Sequence, residues 1–564
     1  MKPFLKPGVL LGLAALAACA PARSTPVSAP APAPAQPRST PSTSASAVAP
    51  LTTLTEAPRE WQLLDEATDH VPGISVDRAE HELLAGKQPK RTVVVAVIDG
   101  GVDTANADLK GQLWTNPKEI PGNGKDDDGD GYVDDVHGWN FLGNANGHDV
   151  QYERLEVTRL AAACQVAQNG GVDSVPATER QDCPAITADF EKQRAEAQQQ
   201  FQQVQIIGRI FDMLRQALNT DTLTPEKVQA MQPTDAHLQQ AQHIYLQLAS
   251  RGLGQAELAD ADKELTTRVK YNLNLTYNPR SIVGDNPHDV SQHIYGNADV
   301  MGPDALHGTH VSGIIGALRD NGVGIDGIAP DVKIMSVRAV PDGDERDKDV
   351  ANAIRFAVDH GANIISMSFG KPYSPEKSAV DAAVKYADAH GVLMVHAAGN
   401  DGEDLATHGN FPTREYLGGG EAQNWIEVGA SSWKGGDSLA ASFSNYGKAQ
   451  VDVFAPGVDI LSTVPGGYKR ESGTSMATPV VSGLAALLMS YYPSLTAEQV
   501  KEIILDSATR YASQQVAKPG SDTSGEVPFG SLSATGGIVN AYAAVRMADQ
   551  MSGQQKVGTA PGGR

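Results

Sequence analysis

The run Thr92-Val93-Val94-Val95-Ala96-Val97-Ile98 limits what this chain can fold into more than any other feature. An unbroken stretch so rich in β-branched residues has no polar face, so it suits a strand covered on both sides within a parallel sheet. Comparable runs recur at Val332–Val337, Ile364–Ser368, Val392–Val395 and Ile426–Val428. Between them, Asp349–His360 and Ser378–His390 carry apolar residues at helical spacing, and each stops at a glycine, Gly361 or Gly391. Strand–helix–strand alternation of this kind predicts an α/β layered fold around a mostly parallel sheet. A later stretch, Thr478–Tyr492, is nearly all apolar and small, and is expected as a helix through the core.

The alternation breaks over residues 150–278. Phe201, Val204, Ile207, Phe211, Leu214 and Leu218 recur at three- and four-residue intervals, as do Leu238, Ala241, Tyr245 and Leu248, and then Leu258, Ala261, Leu265 and Val269. These are stripes of amphipathic helices with Gln and Glu on their outer faces, so the segment reads as a helical insertion. A lid, a partner site and a purely stabilising element all remain open for it. The rest divides into 56–149 and 279–548 as the main domain, with 549–564 as a flexible tail. The whole, at 564 residues, is long enough for more than one folding unit.

Export is written in the first residues. Lys2 and Lys6 precede the short apolar stretch Val9–Leu16, which is too short to span a bilayer and has signal-peptide proportions. It ends in Leu16-Ala17-Ala18-Cys19, which resembles a bacterial lipobox, so residues 1–18 are expected to be removed and Cys19 to carry lipid. An ordinary signal peptide cut nearby is the alternative. Residues 19–55, dominated by Pro, Ala, Ser and Thr, cannot bury a core and read as an extended tether. The expected location is the cell envelope, lipid-anchored to a bacterial membrane. In an oxidising compartment Cys164 and Cys183 are candidates for one disulfide, with two buried free thiols as the alternative. Sixty-seven acidic against 45 basic residues give a formal charge of −22. That balance excludes nucleic acid and anionic lipid surfaces as partners, leaving the lipid anchor as the only expected membrane contact.

Three segments carry chemistry. Val97-Ile98-Asp99-Gly100-Gly101 puts an acid at the C-terminal end of a buried strand, where functional groups collect in open α/β sheets. His307-Gly308-Thr309-His310 opens a small-residue helix, and Gly473-Thr474-Ser475-Met476-Ala477-Thr478-Pro479 puts a serine just ahead of another. A serine hydroxyl needs an adjacent base to become a nucleophile, and histidine can take that proton and return it to a leaving amine. An aspartate on the other ring nitrogen fixes the tautomer and stabilises the imidazolium. In His396-Ala397-Ala398-Gly399-Asn400 a strand ends in an amide able to donate to an oxyanion.

In order and context these segments resemble the subtilisin-like serine peptidases: Asp99, then His307, then Asn400, then Ser475. The resemblance covers roughly residues 60–149 and 279–548 and implies a subtilisin-like three-layer fold with the helical insertion added. It implies a serine endopeptidase acting on proteins or peptides through an acyl-enzyme, with no cofactor for catalysis. Asp99, His307 and Ser475 become the triad and Asn400 the oxyanion donor. Ser366, Met367, Ser368, Phe369 and Gly370 become the strand that pairs with extended substrate, and Ala397, Ala398 and Gly399 one side of the primary specificity pocket. Ser444-Asn445-Tyr446-Gly447 is also family-like. Two features depart from the pattern: the insertion separates Asp99 from His307, and residues 56–90 are too short for the usual pro-domain.

One metal expectation stands apart from catalysis. Asp126, Asp128, Asp130 and Asp134 alternate with glycines in a loop whose oxygen ligands suit Ca²⁺. The loop begins like an EF-hand, but His137 stands where the twelfth-position glutamate is expected. A solvated acidic turn is the alternative.

Overall fold

The computed structural model describes residues 54–169, 182–521 and 525–558. The expected leader, the expected lipidation site Cys19 and the expected tether up to residue 53 lie outside the described residues. The described chain forms two compact units, one of residues 152–278 and the other of the segments flanking it.

The larger unit is built on a nine-stranded sheet. Its strands in chain order are β1 (Val93–Asp99), β2 (Gly138–Asn140), β3 (Val332–Arg338), β4 (Ile364–Met367), β5 (Leu393–Ala397), β6 (Trp425–Ser431) and β7 (Val453–Pro456). A hairpin of β8 (Ile460–Val464) and β9 (Gly467–Glu471), then β10 (Thr509–Arg510), a second small hairpin of β11 (Gln515–Ala517) and β12 (Glu526–Pro528), and β13 (Gly537–Ile538) follow. The order across the sheet is β10-β13-β7-β6-β5-β4-β1-β3-β2, parallel throughout except for the β10–β13 pair. Side chains alternate between its faces. Val93, Val95 and Val97 enter one core and Ala96 and Ile98 the other, which is why β1 reads as continuously apolar.

One core holds the helices Leu306–Gly316 and Thr474–Tyr491; the other holds Asp347–Asp359 and Lys377–Ala389. Thr474–Tyr491 is the only helix among the described residues long and apolar enough to cross a membrane, and it is wholly buried in the unit. It begins four residues earlier than its composition suggested. Pro479 has no N–H to give the Ser475 carbonyl, which sits four residues before it. That carbonyl instead accepts from the Ser368 hydroxyl at 3.0 Å, so the helix runs back past the proline.

Residues 57–84 belong to the same core. Trp61, Ile74 and Val76 are fully buried there, the Trp61 indole donates to Val458 O at 2.9 Å, and Ala541 N donates to Ile74 O at 2.7 Å. This segment is thus an integral part of the unit. The final helix, Ala541–Gly558, extends through most of the stretch expected as a flexible tail, because Ala541, Ala544, Val545 and Ala548 bury its first turns.

The smaller unit is helical, with Glu156–Gln168, Cys183–Leu218, Ala236–Ala249 and Gln255–Thr267 as its longer elements. Ile207, Phe211 and Leu214 pack against Ala241, Tyr245 and Leu248, as the stripes predict, and Val204 is buried. Cys164 and Cys183 form the expected disulfide, with Cα atoms 5.7 Å apart, tying the first two helices together. Where the chain enters and leaves the unit the two ends clasp. Leu155 N donates to Asn272 O at 3.0 Å, the Asn272 amide to Glu153 O at 2.8 Å, and the rings of Tyr152 and Tyr271 stack at 4.1 Å.

Candidate active site

Asp99 is the last residue of β1, at the carboxyl edge of the sheet. Its Oδ1 accepts from Gly100 N at 2.7 Å, which orients the carboxylate. His307 is the second residue of the helix Leu306–Gly316, and its Nδ1 lies 2.9 and 2.8 Å from the two carboxylate oxygens. Carboxylates only accept, so Nδ1 carries the hydrogen and the Nε2 lone pair is free to act as base. The pair can meet because Gly308 has no side chain: a Cβ there would stand 2.2 Å from Gly101 O and 3.2 Å from the Asp99 Cβ. Asp99 is buried, whereas the His307 side chain is one-third exposed, as a group that must reach substrate requires.

His310, one turn on, is a different kind of residue. It is fully buried, with Nε2 between Ile460 O at 3.1 Å and Lys469 O at 3.0 Å. Burial pushes its pKa down to about 4, so it stays neutral at physiological pH and ties this helix to the β8–β9 hairpin.

Ser475 lies in the first turn of its helix, where backbone N–H groups have no partner within the helix. Its Oγ donates to Ser368 O at 3.0 Å while the Ser368 Oγ donates to Ser475 O, a reciprocal pair that joins the serine to the end of β4. In this state His307 and Ser475 are not hydrogen-bonded to each other. Rotation of the Ser475 hydroxyl away from Ser368 O is needed to bring it to the base, and catalytic contacts commonly tighten only with substrate bound.

Asn400 faces the same helix end. Its Oδ1 accepts from Thr474 N at 2.8 Å and Thr474 Oγ1 at 3.1 Å, which leaves Nδ2 as the outward donor. The preceding loop is held from behind. Gly399 sits at φ +102°, where a Cβ would strike the Asn445 amide at 2.4 Å, and that amide donates to Ala398 O at 2.9 Å. Asn445 Oδ1 accepts in turn from Asp401 N and Glu403 N at 3.0 and 2.9 Å.

The expected substrate strand is partly displaced. Ser366 and Met367 lie inside β4, paired with β1 on one side and β5 on the other, so their backbone is spent within the sheet. Only from Ser368 does the chain leave the sheet, and Gly370 is exposed. Ala397 and Ala398 are buried at the end of β5. Asn410, which no sequence motif marks, bridges the two walls: its Nδ2 donates to Ala397 O at 2.8 Å, and a Cβ on Gly370 would meet its Oδ1 at 2.3 Å.

The four acids of the expected metal loop are divided by the fold. Asp126 and Asp128 group with Glu119, their carboxylate oxygens within 4.8 Å of one another. Asp130 groups instead with Asp135 and His360. Asp134, in the left-handed region at φ +56°, accepts from Asn123 N and Gly124 N and closes a turn. Glu119 is buried with Oε2 lacking any hydrogen-bond partner, and Asp128 Oδ1 is likewise unpartnered.

A parallel α/β sheet with an Asp–His pair at its carboxyl edge, a serine in the first turn of a buried helix and an amide facing that turn has the constellation of a serine hydrolase. The Subtilase family model matches residues 90–524, and the chain belongs to that family. It is 46% identical over 186 residues to Thermophilic serine proteinase of Bacillus sp. (strain AK1), a match spanning 33% of this chain and 42% of that one. To Alkaline elastase YaB of Bacillus sp. (strain YaB) it is 38% identical over 242 residues, 43% of this chain and 55% of the relative. To Subtilisin BL of Lederbergia lenta it is 36% identical over 242 residues, 43% of this chain and 77% of the relative. The chain thus spans about half the length of the first two relatives and over two-thirds of the third.

Proposed function

We propose that this protein is a serine endopeptidase that hydrolyses protein or peptide substrates at a bacterial cell envelope. The observation that carries the reading is the oriented Asp99–His307 pair with its Nε2 lone pair free. Ser475 Oγ attacks the scissile carbonyl as His307 takes its proton; Asp99 stabilises the imidazolium, and His307 then protonates the leaving amine. The developing oxyanion is received by Asn400 Nδ2 and the Ser475 backbone N–H. The chain from Ser368 to Gly370 and the loop from Ala397 to Gly399 form the two sides of the primary specificity pocket, with Asn410 between them.

Anchoring through a lipid on Cys19 is supported by the sequence Leu16-Ala17-Ala18-Cys19 after an apolar leader. One experiment tests both parts. Cells producing the full chain are treated with a fluorescent fluorophosphonate, fractionated, and the labelled peptide is mapped by mass spectrometry. The label is expected on Ser475, in the membrane fraction, moving to the soluble fraction in Cys19→Ser. Label on another residue, or none on folded protein that also fails to cleave casein, overturns the peptidase reading; unchanged fractionation of Cys19→Ser overturns the anchor.

The group Glu119, Asp126 and Asp128 is proposed as a structural Ca²⁺ site. Two of its oxygens are buried without partners, which is costly unless a cation receives them. All its donors are hard oxygens, as Ca²⁺ prefers. Calcium at 100 times its Kd should stabilise the fold by about 2.7 kcal/mol, read as a higher Tm that EGTA reverses. A Tm indifferent to both calcium and EGTA would remove the site.

A further inference from the structure

We propose that Asp130, Asp135 and His360 form a second metal site, selective for a first-row divalent cation of the Zn²⁺ class and separate from both the catalytic centre and the all-oxygen group. The three side chains come from two elements distant in sequence. Asp130 and Asp135 lie on the loop before β2, and His360 caps the C-terminus of the helix Asp347–Asp359.

The geometry prepares His360 as a ligand. Its Nδ1 lies 2.8 Å from Phe356 O, a group that can only accept, so Nδ1 carries the hydrogen. In the neutral ring, this backbone bond on the far nitrogen is the arrangement that fixes a metal-binding histidine, because it leaves Nε2 as the ligand atom. Here Nε2 stands 2.8 Å from Asp130 Oδ2 and 3.1 Å from Asp135 Oδ2. A lone pair set against two carboxylates is repulsive unless a cation lies among them.

The second aspartate supplies the independent observation. Asp135 is fully buried, its Oδ1 is taken by the Asn116 amide at 2.7 Å, and its Oδ2 receives no hydrogen bond. That buried oxygen faces the imidazole, 3.1 Å from Nε2. The ring is held in place by Phe356, stacked at 3.9 Å, with Trp114 and Tyr132 edge-on at 5.9 and 6.0 Å. Asp130, the third ligand, is partly open to solvent, its Oδ1 fixed by Tyr132 N at 2.9 Å. The site is therefore closed on the protein side and open where a water could complete a fourth position.

Ligand chemistry sets the class of ion. Tetrahedral sites with bonds of 2.0–2.1 Å place neighbouring ligand atoms roughly 3.3 Å apart, near the separations around Nε2. One imidazole with two carboxylates suits Zn²⁺ and its first-row neighbours, whereas Ca²⁺ seeks six or more oxygens. The competing occupant is a proton, which would make His360 an imidazolium bridging the two aspartates. Bound metal would clamp the loop to the helix end and stabilise the fold without entering catalysis.

The test uses the purified full chain, freed of metal with a chelator and titrated with Co²⁺ in the presence of excess Ca²⁺. One equivalent should produce a visible ligand-field band that Zn²⁺ bleaches. His360→Gln and Asp130→Asn should each weaken Co²⁺ binding by at least about 100-fold, with far-UV circular dichroism unchanged. Asp130 is partly exposed, so its variant tests the site even where His360→Gln fails to fold. No band, displacement of Co²⁺ by Ca²⁺, or full binding in Asp130→Asn would overturn the site and leave the bridging proton as the occupant.

Discussion

Asp99→Asn is expected to lower kcat on a chromogenic peptide by about 10⁴-fold with little change in KM. The substitution keeps an oxygen to accept from Gly100 N, so the end of β1 can retain its shape. It replaces the other carboxylate oxygen with an NH₂ group facing His307 Nδ1. The imidazole must then accept at Nδ1 and carry its hydrogen on Nε2, the wrong tautomer for taking a proton from Ser475. KM is spared because Asp99 is 3% exposed and lies behind the histidine, away from substrate. Ser475→Ala should abolish fluorophosphonate labelling and cost at least as much in kcat, and adding Asp99→Asn to it should cost little more, since the groups act as a unit. A residual rate 10³–10⁴-fold above water should survive, from substrate binding and the oxyanion donors. A loss below tenfold in Asp99→Asn would remove His307 from the role of base.

What the sequence made legible follows from which interactions are local. The strands covered on both faces announced themselves, because burial leaves no room for polar residues in Val93–Ile98 or Val332–Val337. Short strands such as Gly138–Asn140 and Val453–Pro456 did not, since three or four residues carry no period and owe their conformation to distant partners. The triad candidates were readable because each sits in a compact motif at an element boundary. Asn410 and Asn445 were not assigned roles, because an asparagine's function in bracing a loop depends on chain that arrives from elsewhere.

The same distinction explains the corrections. Alternation along the acidic loop suggested one ligand set, yet Gly129 and Gly131 at φ +77° and +104° and Asp134 at +56° turn the chain back on itself. Acids close in sequence were therefore parted, and Glu119 and His360, outside the motif, were brought in. The Thr474–Tyr491 helix starts before its apolar stretch for a related reason: the donor that Pro479 lacks is replaced by the hydroxyl of Ser368, 107 positions from the Ser475 carbonyl it serves. Ser366 and Met367 read as part of a substrate-pairing strand because the family resemblance spans Ser366 to Gly370; only the sheet order reveals that both edges of β4 are already occupied.

Asn400→Ala is expected to lower kcat by 10²–10³-fold, the loss of one oxyanion donor, a magnitude established on subtilisin itself. The structure adds a complication that a single variant cannot resolve. Gly473, at the N-cap of the Ser475 helix, has no side chain to cap it, and Asn400 Oδ1 does so from across the fold by accepting from Thr474 N. Alanine therefore removes a cap and a donor together, and Tm should fall by an amount corresponding to about 1 kcal/mol. Asn400→Asp separates the two roles. Its carboxylate can still accept from Thr474 and places negative charge at a helix N-terminus, so stability should match or exceed wild type. The same change replaces the outward N–H with an anionic oxygen beside a developing oxyanion, so kcat should fall below that of the alanine variant. Stability and turnover thus move in opposite directions between the two variants if Nδ2 donates to the transition state. If kcat instead follows Tm, falling in Asn400→Ala and recovering in Asn400→Asp, Asn400 serves the helix alone and the oxyanion rests on the Ser475 backbone N–H.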